Sequence, residues 1–271
     1  MYEELYAPLP DVNAYLSRIG LAGETPEPTA AWLDKLVHAQ LVHIPFDAMD
    51  CWGRGDTPSL ATQDLFEKIV LRRRGGYCFE LNSLLCAFLK ALGYDAYVVI
   101  VRLLGGRDFI PPPAHCAVVC RIDGQKYFCD VGYGGPVPDG CVAYDGAVHH
   151  GYRVVRSGDF HCLELVKEDG TAEQVMLYHD VAALPVDLIP LNYHVSQRPG
   201  SFFQALLNVN LRLPDGGVWL RGRQFSLHSS TERFDREIRD LDDLKQILPR
   251  YFGIPGDDPP MRALDDQPSE F

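Results

Sequence analysis

Two spacings of apolar side chains divide this chain. From residue 11 to about 93 they recur every three to four positions, the period of a helix with one buried face. "DVNAYLSRIGL" carries Val12, Tyr15, Leu16 and Ile19 at that spacing. "TAAWLDKLVHAQLVHIPF" does so at positions 32, 33, 36, 37 and 41, behind a Thr29 cap. "TQDLFEKIVLR" is a shorter amphipathic piece, and Leu81, Leu84, Leu85, Phe88, Leu89 and Leu92 predict a longer helix that starts at Cys78 and stops at Gly93. From Tyr94 the pattern changes to short β-branched and aromatic runs, "DAYVVIVRLL", "HCAVVCRI", "QKYFCDVGY", "YRVVRS" and "FHCLELV", divided by Gly, Asp and Pro. These predict an antiparallel sheet or barrel. Strands near 205–228 and a helix at "LDDLKQILPRYFG" follow, then a polar, Pro-rich tail expected to be mobile. The class is α+β, with no internal repeat.

Charge narrows the partners. The 271 residues hold 25 basic against 37 acidic side chains, a net charge of -12, so the surface as a whole repels nucleic acid and anionic membrane. An anionic ligand would need a local basic or backbone N–H site that overrides this field. The apolar stretch from Leu84 to Leu104 is broken by Lys90, Asp95 and Arg102, and the acidic N-terminus is not built like a signal peptide. A cytoplasmic protein is expected, with its eight cysteines as thiols.

One thiol has a special place. Cys78 stands in "RRRGGYCFELN" at the first turn of its predicted helix, where unpaired N–H groups and the helix dipole favour an anion. Gly75 and Gly76 before it allow a sharp turn and a close backbone approach. Most cysteines are small buried hydrophobes, so Cys78 needs a base beside it to be more. The hairpin supplies one. Asp123–Gly124 is a two-residue turn signal between alternating strands. Pairing Ile122 with Gln125 sets Val119 against Phe128 and His115 against Gly132. His115 and Asp130 then share a face as diagonal neighbours, with Cβ atoms roughly 7–8 Å apart or less. A satisfied surface pair would give the same pattern. Cys78, His115 and Asp130 nevertheless make up a nucleophile, a base and an orienting carboxylate.

Other groups carry less. Cys116, Cys120 and Cys129 fall on the opposite face from His115, and Cys116 and Cys120 are roughly 13 Å apart along the strand, too far for one tetrahedral metal. They read as packing residues, and no metal is expected. His149 and His150 read as exposed loop residues. The Arg72–Arg73–Arg74 run is either an anion site or a solvated helix end, with a structural role favoured. Gly132, Tyr133, Gly134 and Gly135 form a turn whose backbone N–H groups could nest phosphate oxygens, or simply a turn.

The ordered motifs resemble the arylamine N-acetyltransferase family. "RGGYCFELN" is similar to its signature around the acyl-accepting cysteine, "HIPFDAMD" to an upstream segment, and "HCAVV" with "DVGYGG" to its His and Asp segments. "NYHVSQRPGSFFQALL" resembles a later stretch. The resemblance implies a helical bundle over 1–93 carrying the nucleophile, a β-barrel over 94–195 carrying His and Asp, and an α/β lid over 196–271. The Cys-His-Asp core would be of the cysteine-protease kind. It implies acetyl transfer from acetyl-CoA to arylamines or hydrazines, by way of an acetyl-cysteine and without a metal. It also implies Phe46, Tyr133 and Phe203 as aryl-pocket residues, and pairing of Asp47 with Arg18 of the first helix. A transglutaminase or cysteine-protease-like hydrolase using the same three residues is the alternative.

Overall fold

The computed structural model describes residues 2–257 and Leu264. The expected mobile tail beyond Asp257 otherwise lies outside the described residues. Helix α1 (Val12–Arg18) starts where Asp11 accepts the Ala14 N–H, and α2 (Ala30–His43) starts where Thr29 accepts that of Trp32. The Thr29 cap read from the sequence is thus in use. Helix α3 (Thr62–Phe66) runs on through wider turns to Leu71. Helix α4 (Cys78–Ala91) ends just before Gly93, whose φ of 88° is a left-handed geometry that favours glycine. Tyr15 of α1 stacks on Phe88 of α4 at 3.9 Å and donates its hydroxyl to Gln40 of α2 at 2.6 Å. Three helices therefore share one core.

A short strand, β1 (Phe46–Asp47), lies between α2 and α3. After α4 come β2 (Asp95–Leu103), β3 (His115–Ile122), β4 (Gln125–Cys129), β5 (Val142–Ala143), β6 (Tyr152–Ser157), β7 (Phe160–Val166) and β8 (Ala172–Tyr178). These pair antiparallel in the order β5-β4-β3-β2-β8-β7-β6 and curl into a nearly closed barrel. Asp123 and Gly124 both take positive φ, 49° and 82°, as the tight hairpin turn requires. Ile122 pairs with Gln125 and Val119 with Phe128, the register read from the sequence. Helix α4 packs on β3 and β2, which brings its first residues to the barrel rim.

The C-terminal part holds α5 (Leu188–Gln197), α6 (Phe202–Ala205), strands β9 (Asn208–Leu213), β10 (Gly216–Arg221), β11 (Gln224–His228) and β12 (Arg233–Glu237), and α7 (Leu241–Ile247). Its sheet, β1-β9-β10-β11-β12, takes its first strand from the helical part of the chain. Met49 and Trp52 are buried in that sheet's core with Val209, Val218 and Phe225. On its other edge, β1 touches Gly76, whose carbonyl accepts the Asp47 N–H at 2.9 Å. This links the C-terminal sheet directly to the turn that precedes Cys78.

Candidate active site

The start of α4 is held from beneath. Tyr77 is extended, and its N–H donates to Glu80 Oε2 at 3.1 Å, closing one side of a capping box. Glu80 Oε1 meets Lys68 Nζ at 2.7 Å, and Lys68 also meets Asp50 at 2.7 Å. Arg74 bridges Asp50 at 3.1 Å to Asp47 at 2.8 Å. Three carboxylates thus share two cations, an excess of negative charge in a dry place. Burial pushes Glu80 up to about 7, against the pull of Lys68 and with help from Asp50. Burial also works against the Lys68 ammonium, but Glu80 and Asp50 outweigh it and Lys68 stays protonated. Glu80 therefore holds its proton more tightly chiefly because it is buried, and Lys68 because carboxylates surround it.

This network corrects one expectation and divides another. Asp47 pairs with Arg74, not with Arg18. Arg18 instead gives its guanidinium to the carbonyls of Ile69, His43 and Arg74, pinning the turn from the other side. In the arginine run, Arg74 is buried and structural, whereas Arg72 and Arg73 are exposed. The glycine pair serves close approach. A Cβ on Gly75 would lie 2.1 Å from the Pro45 carbonyl oxygen, and one on Gly76 would lie 2.9 Å from Glu80 Cβ.

On the barrel side, His115 Nε2 donates to Asp130 Oδ2 at 2.7 Å, with both side chains buried. The face shared by these residues in the hairpin therefore produces contact. Asp130 Oδ1 also accepts from Asn82 Nδ2 at 3.0 Å and from the Gly132 N–H at 2.9 Å. Asn82 further donates to the Cys116 carbonyl at 2.8 Å and accepts the Val131 N–H at 3.1 Å. This buried amide ties α4 to β3 and to the end of β4. It was not singled out from the sequence. The available signal was its position one helical turn after Cys78, which puts both on one face.

Among the described residues, His115 Nδ1 is buried and has no hydrogen-bond partner. Cys78 and His115 line one cleft of about 710 Å³, together with Phe46, Tyr133, Gly134, Gly135 and Phe203. Tyr133 stands edge-on to the His115 ring at 5.8 Å, and the Phe203 ring lies 6.0 Å from Phe46 and 5.7 Å from Tyr77. Gly132 is spent on structure. Its N–H is taken by Asp130, and a Cβ there would lie 2.8 Å from both Cys78 Cα and Asn82 Nδ2. Of the four-residue turn, Tyr133, Gly134 and Gly135 face the cleft.

Cys78 is more enclosed than a helix-start thiol read from sequence alone. Burial and the nearby Asp130 carboxylate push it well above the ordinary thiol range, and only the Phe79 N–H pulls the other way. A lone thiolate is therefore disfavoured, and an anion at Cys78 needs a cation beside it.

Elsewhere the histidine pair is accounted for, with His149 on Asp145 at 3.0 Å and His150 on Asp34 at 2.8 Å. Cys116, Cys120 and Cys129 are buried free thiols. Among the described residues, no helix is long and apolar enough to cross a membrane.

The profile of the N-acetyltransferase family matches residues 29–258, which sets the class. An arylamine N-acetyltransferase of Mycolicibacterium smegmatis is 35% identical over 258 residues, covering 90% of this chain and 92% of that protein. Among solved structures, the arylamine N-acetyltransferase of Salmonella typhimurium has the same fold at a TM-score of 0.83 and 24% identity, covering 93% of each chain. That of Mycobacterium marinum, solved in complex with CoA, superposes at a TM-score of 0.79 with 27% identity, covering 90% of this chain and 93% of the other. The chain belongs to the arylamine N-acetyltransferase family.

Proposed function

We propose that this protein moves an acetyl group from acetyl-CoA to the nitrogen of arylamines and arylhydrazines through an acetyl-Cys78 intermediate. The observation that carries the assignment of roles is the His115 ring. Its Nε2–H is fixed on Asp130, its Nδ1 is buried and unpartnered among the described residues, and both His115 and Cys78 line the cleft. Nδ1 is the atom that takes the thiol proton. The resulting thiolate is stabilised by the imidazolium, which Asp130 in turn stabilises, so the charge that burial opposes is formed only as half of a pair.

The sulfur attacks the thioester carbonyl, the carbon–sulfur bond to CoA breaks, and the CoA sulfur leaves with the proton from Nδ1. Acetyl-Cys78 remains. The amine attacks its carbonyl, Nδ1 accepts the amine proton, and the Cys78 sulfur departs. Phe46, Tyr133 and Phe203 are assigned to the aryl group, and the Tyr133–Gly135 backbone to the donor. In this reading 1–93 carries the nucleophile, 94–195 the base and its carboxylate, and 196–271 covers the cleft. Eight free, buried thiols support a reducing, cytoplasmic setting.

The test is mass measurement after incubation with acetyl-CoA alone. A gain of one acetyl group, absent in Cys78→Ala, is expected. An unmodified parent protein would overturn the assignment.

A further inference from the structure

The charge of the cleft runs against the charge of the molecule. The chain carries 37 acidic against 25 basic side chains, yet among the described residues no carboxylate lines this cleft, while Arg107, Arg198 and Arg221 do. They come from separate places: the loop between β2 and β3, the end of α5 and the end of β10. All three are exposed. Elsewhere Arg74, Arg121, Arg153, Arg212 and Arg236 each face a carboxylate within 3.2 Å. At the cleft, Arg107 donates only to the carbonyls of Leu103 and Leu104, and Arg221 rests over the Phe202 ring at 5.4 Å. No acidic partner neutralises any of them among the described residues.

Three uncompensated guanidinium groups on one rim form a local positive field inside a net -12 molecule. Such a field has no use for a neutral amine. It suits a polyanion, and guanidinium is the side chain best matched to phosphate oxygens. We infer that Arg107, Arg198 and Arg221 bind the phosphate groups of the CoA donor and so align its thioester with Cys78. This rests on the proposed donor. The guanidinium groups add to the backbone N–H groups of the Tyr133–Gly135 turn as donors to phosphate oxygens.

The experiment measures CoA and pantetheine binding to the parent and to Arg107→Gln, Arg198→Gln and Arg221→Gln by calorimetry, with melting curves alongside. Each exchange should weaken CoA about three- to tenfold and leave the phosphate-free pantetheine unchanged. Added salt should weaken CoA binding in the parent more than in the variants. Unchanged CoA affinity in the variants, or an equal loss for both ligands, would overturn the inference. Among the described residues the Arg198 and Arg221 side chains, unlike that of Arg107, make no hydrogen bond to the backbone, so their exchanges keep the test open if Arg107→Gln unfolds. Acetylation of Cys78 by the phosphate-free donor S-acetyl-N-acetylcysteamine, run in parallel, tests the acyl-transfer reading separately.

Discussion

Asp130 accepts three hydrogen bonds, and together they decide which proton His115 carries. Asn82 and Gly132 hold Oδ1, which leaves Oδ2 for the ring. In Asp130→Asn the amide oxygen would keep those two donors, and its NH₂ would then face Nε2. The ring must turn acceptor there and carry its proton on Nδ1, so nothing remains to take the thiol proton. A fall in kcat on the order of 10²–10⁴ is expected, with a melting shift of only a few degrees. Near-normal turnover in a folded variant would show that the pair is structural. The sequence made this pair legible because a two-residue turn leaves the strands one register. It did not reveal Asn82, whose partners lie in two separate segments, at Cys116 and at Asp130–Val131. The pairing of Asp47 with Arg18 that the family resemblance implied also fails, since which of two nearby guanidiniums reaches Asp47 depends on packing that no spacing encodes.

At the scale of elements, the meeting of α4 with the loop after β4 is the tight joint. Gly132→Ala would place a methyl 2.8 Å from Cys78 Cα, which is backbone and cannot swing aside. We expect a loss of about 1–3 kcal/mol in stability and at least a tenfold loss of turnover. A fully active variant with an unchanged melting temperature would refute that. The capping box has a pH signature. Glu80 titrates at about 7 in the fold against 4.5 when free, so the folded chain binds its proton more tightly. Its contribution is fully present below the free value and is lost as pH rises through about 7. The stability deficit of Glu80→Gln should therefore shrink between pH 5 and pH 8, and a deficit that grows over that range would contradict the assignment. Elements with a clear period were readable. Strand β8 was not, because Ala172, Glu173 and Gln174 are exposed and give it no alternation, and β12 buries little along "RFDRE". Helix α5 gave no clear helical signal either, with Pro190 in its first turn.

For the whole molecule, all eight thiols are buried, yet access differs. Cys78 lines the cleft together with His115. Cys86 lines a separate apolar pocket, and burial holds its thiol up to about 11. Limiting iodoacetamide should label Cys78 first in the native chain, and preferential labelling of Cys86 or Cys51 would argue against the proton transfer to His115. The pairing of Phe46 with Asn210 has a consequence for biosynthesis. The strand beside the nucleophile turn finds its partner only after most of the chain has left the ribosome, and contacts so distant in sequence form slowly. Until then the thiol is present without its enclosure. The same pairing that completes the cleft therefore sets a clock on when an emerging chain stops being vulnerable to oxidation.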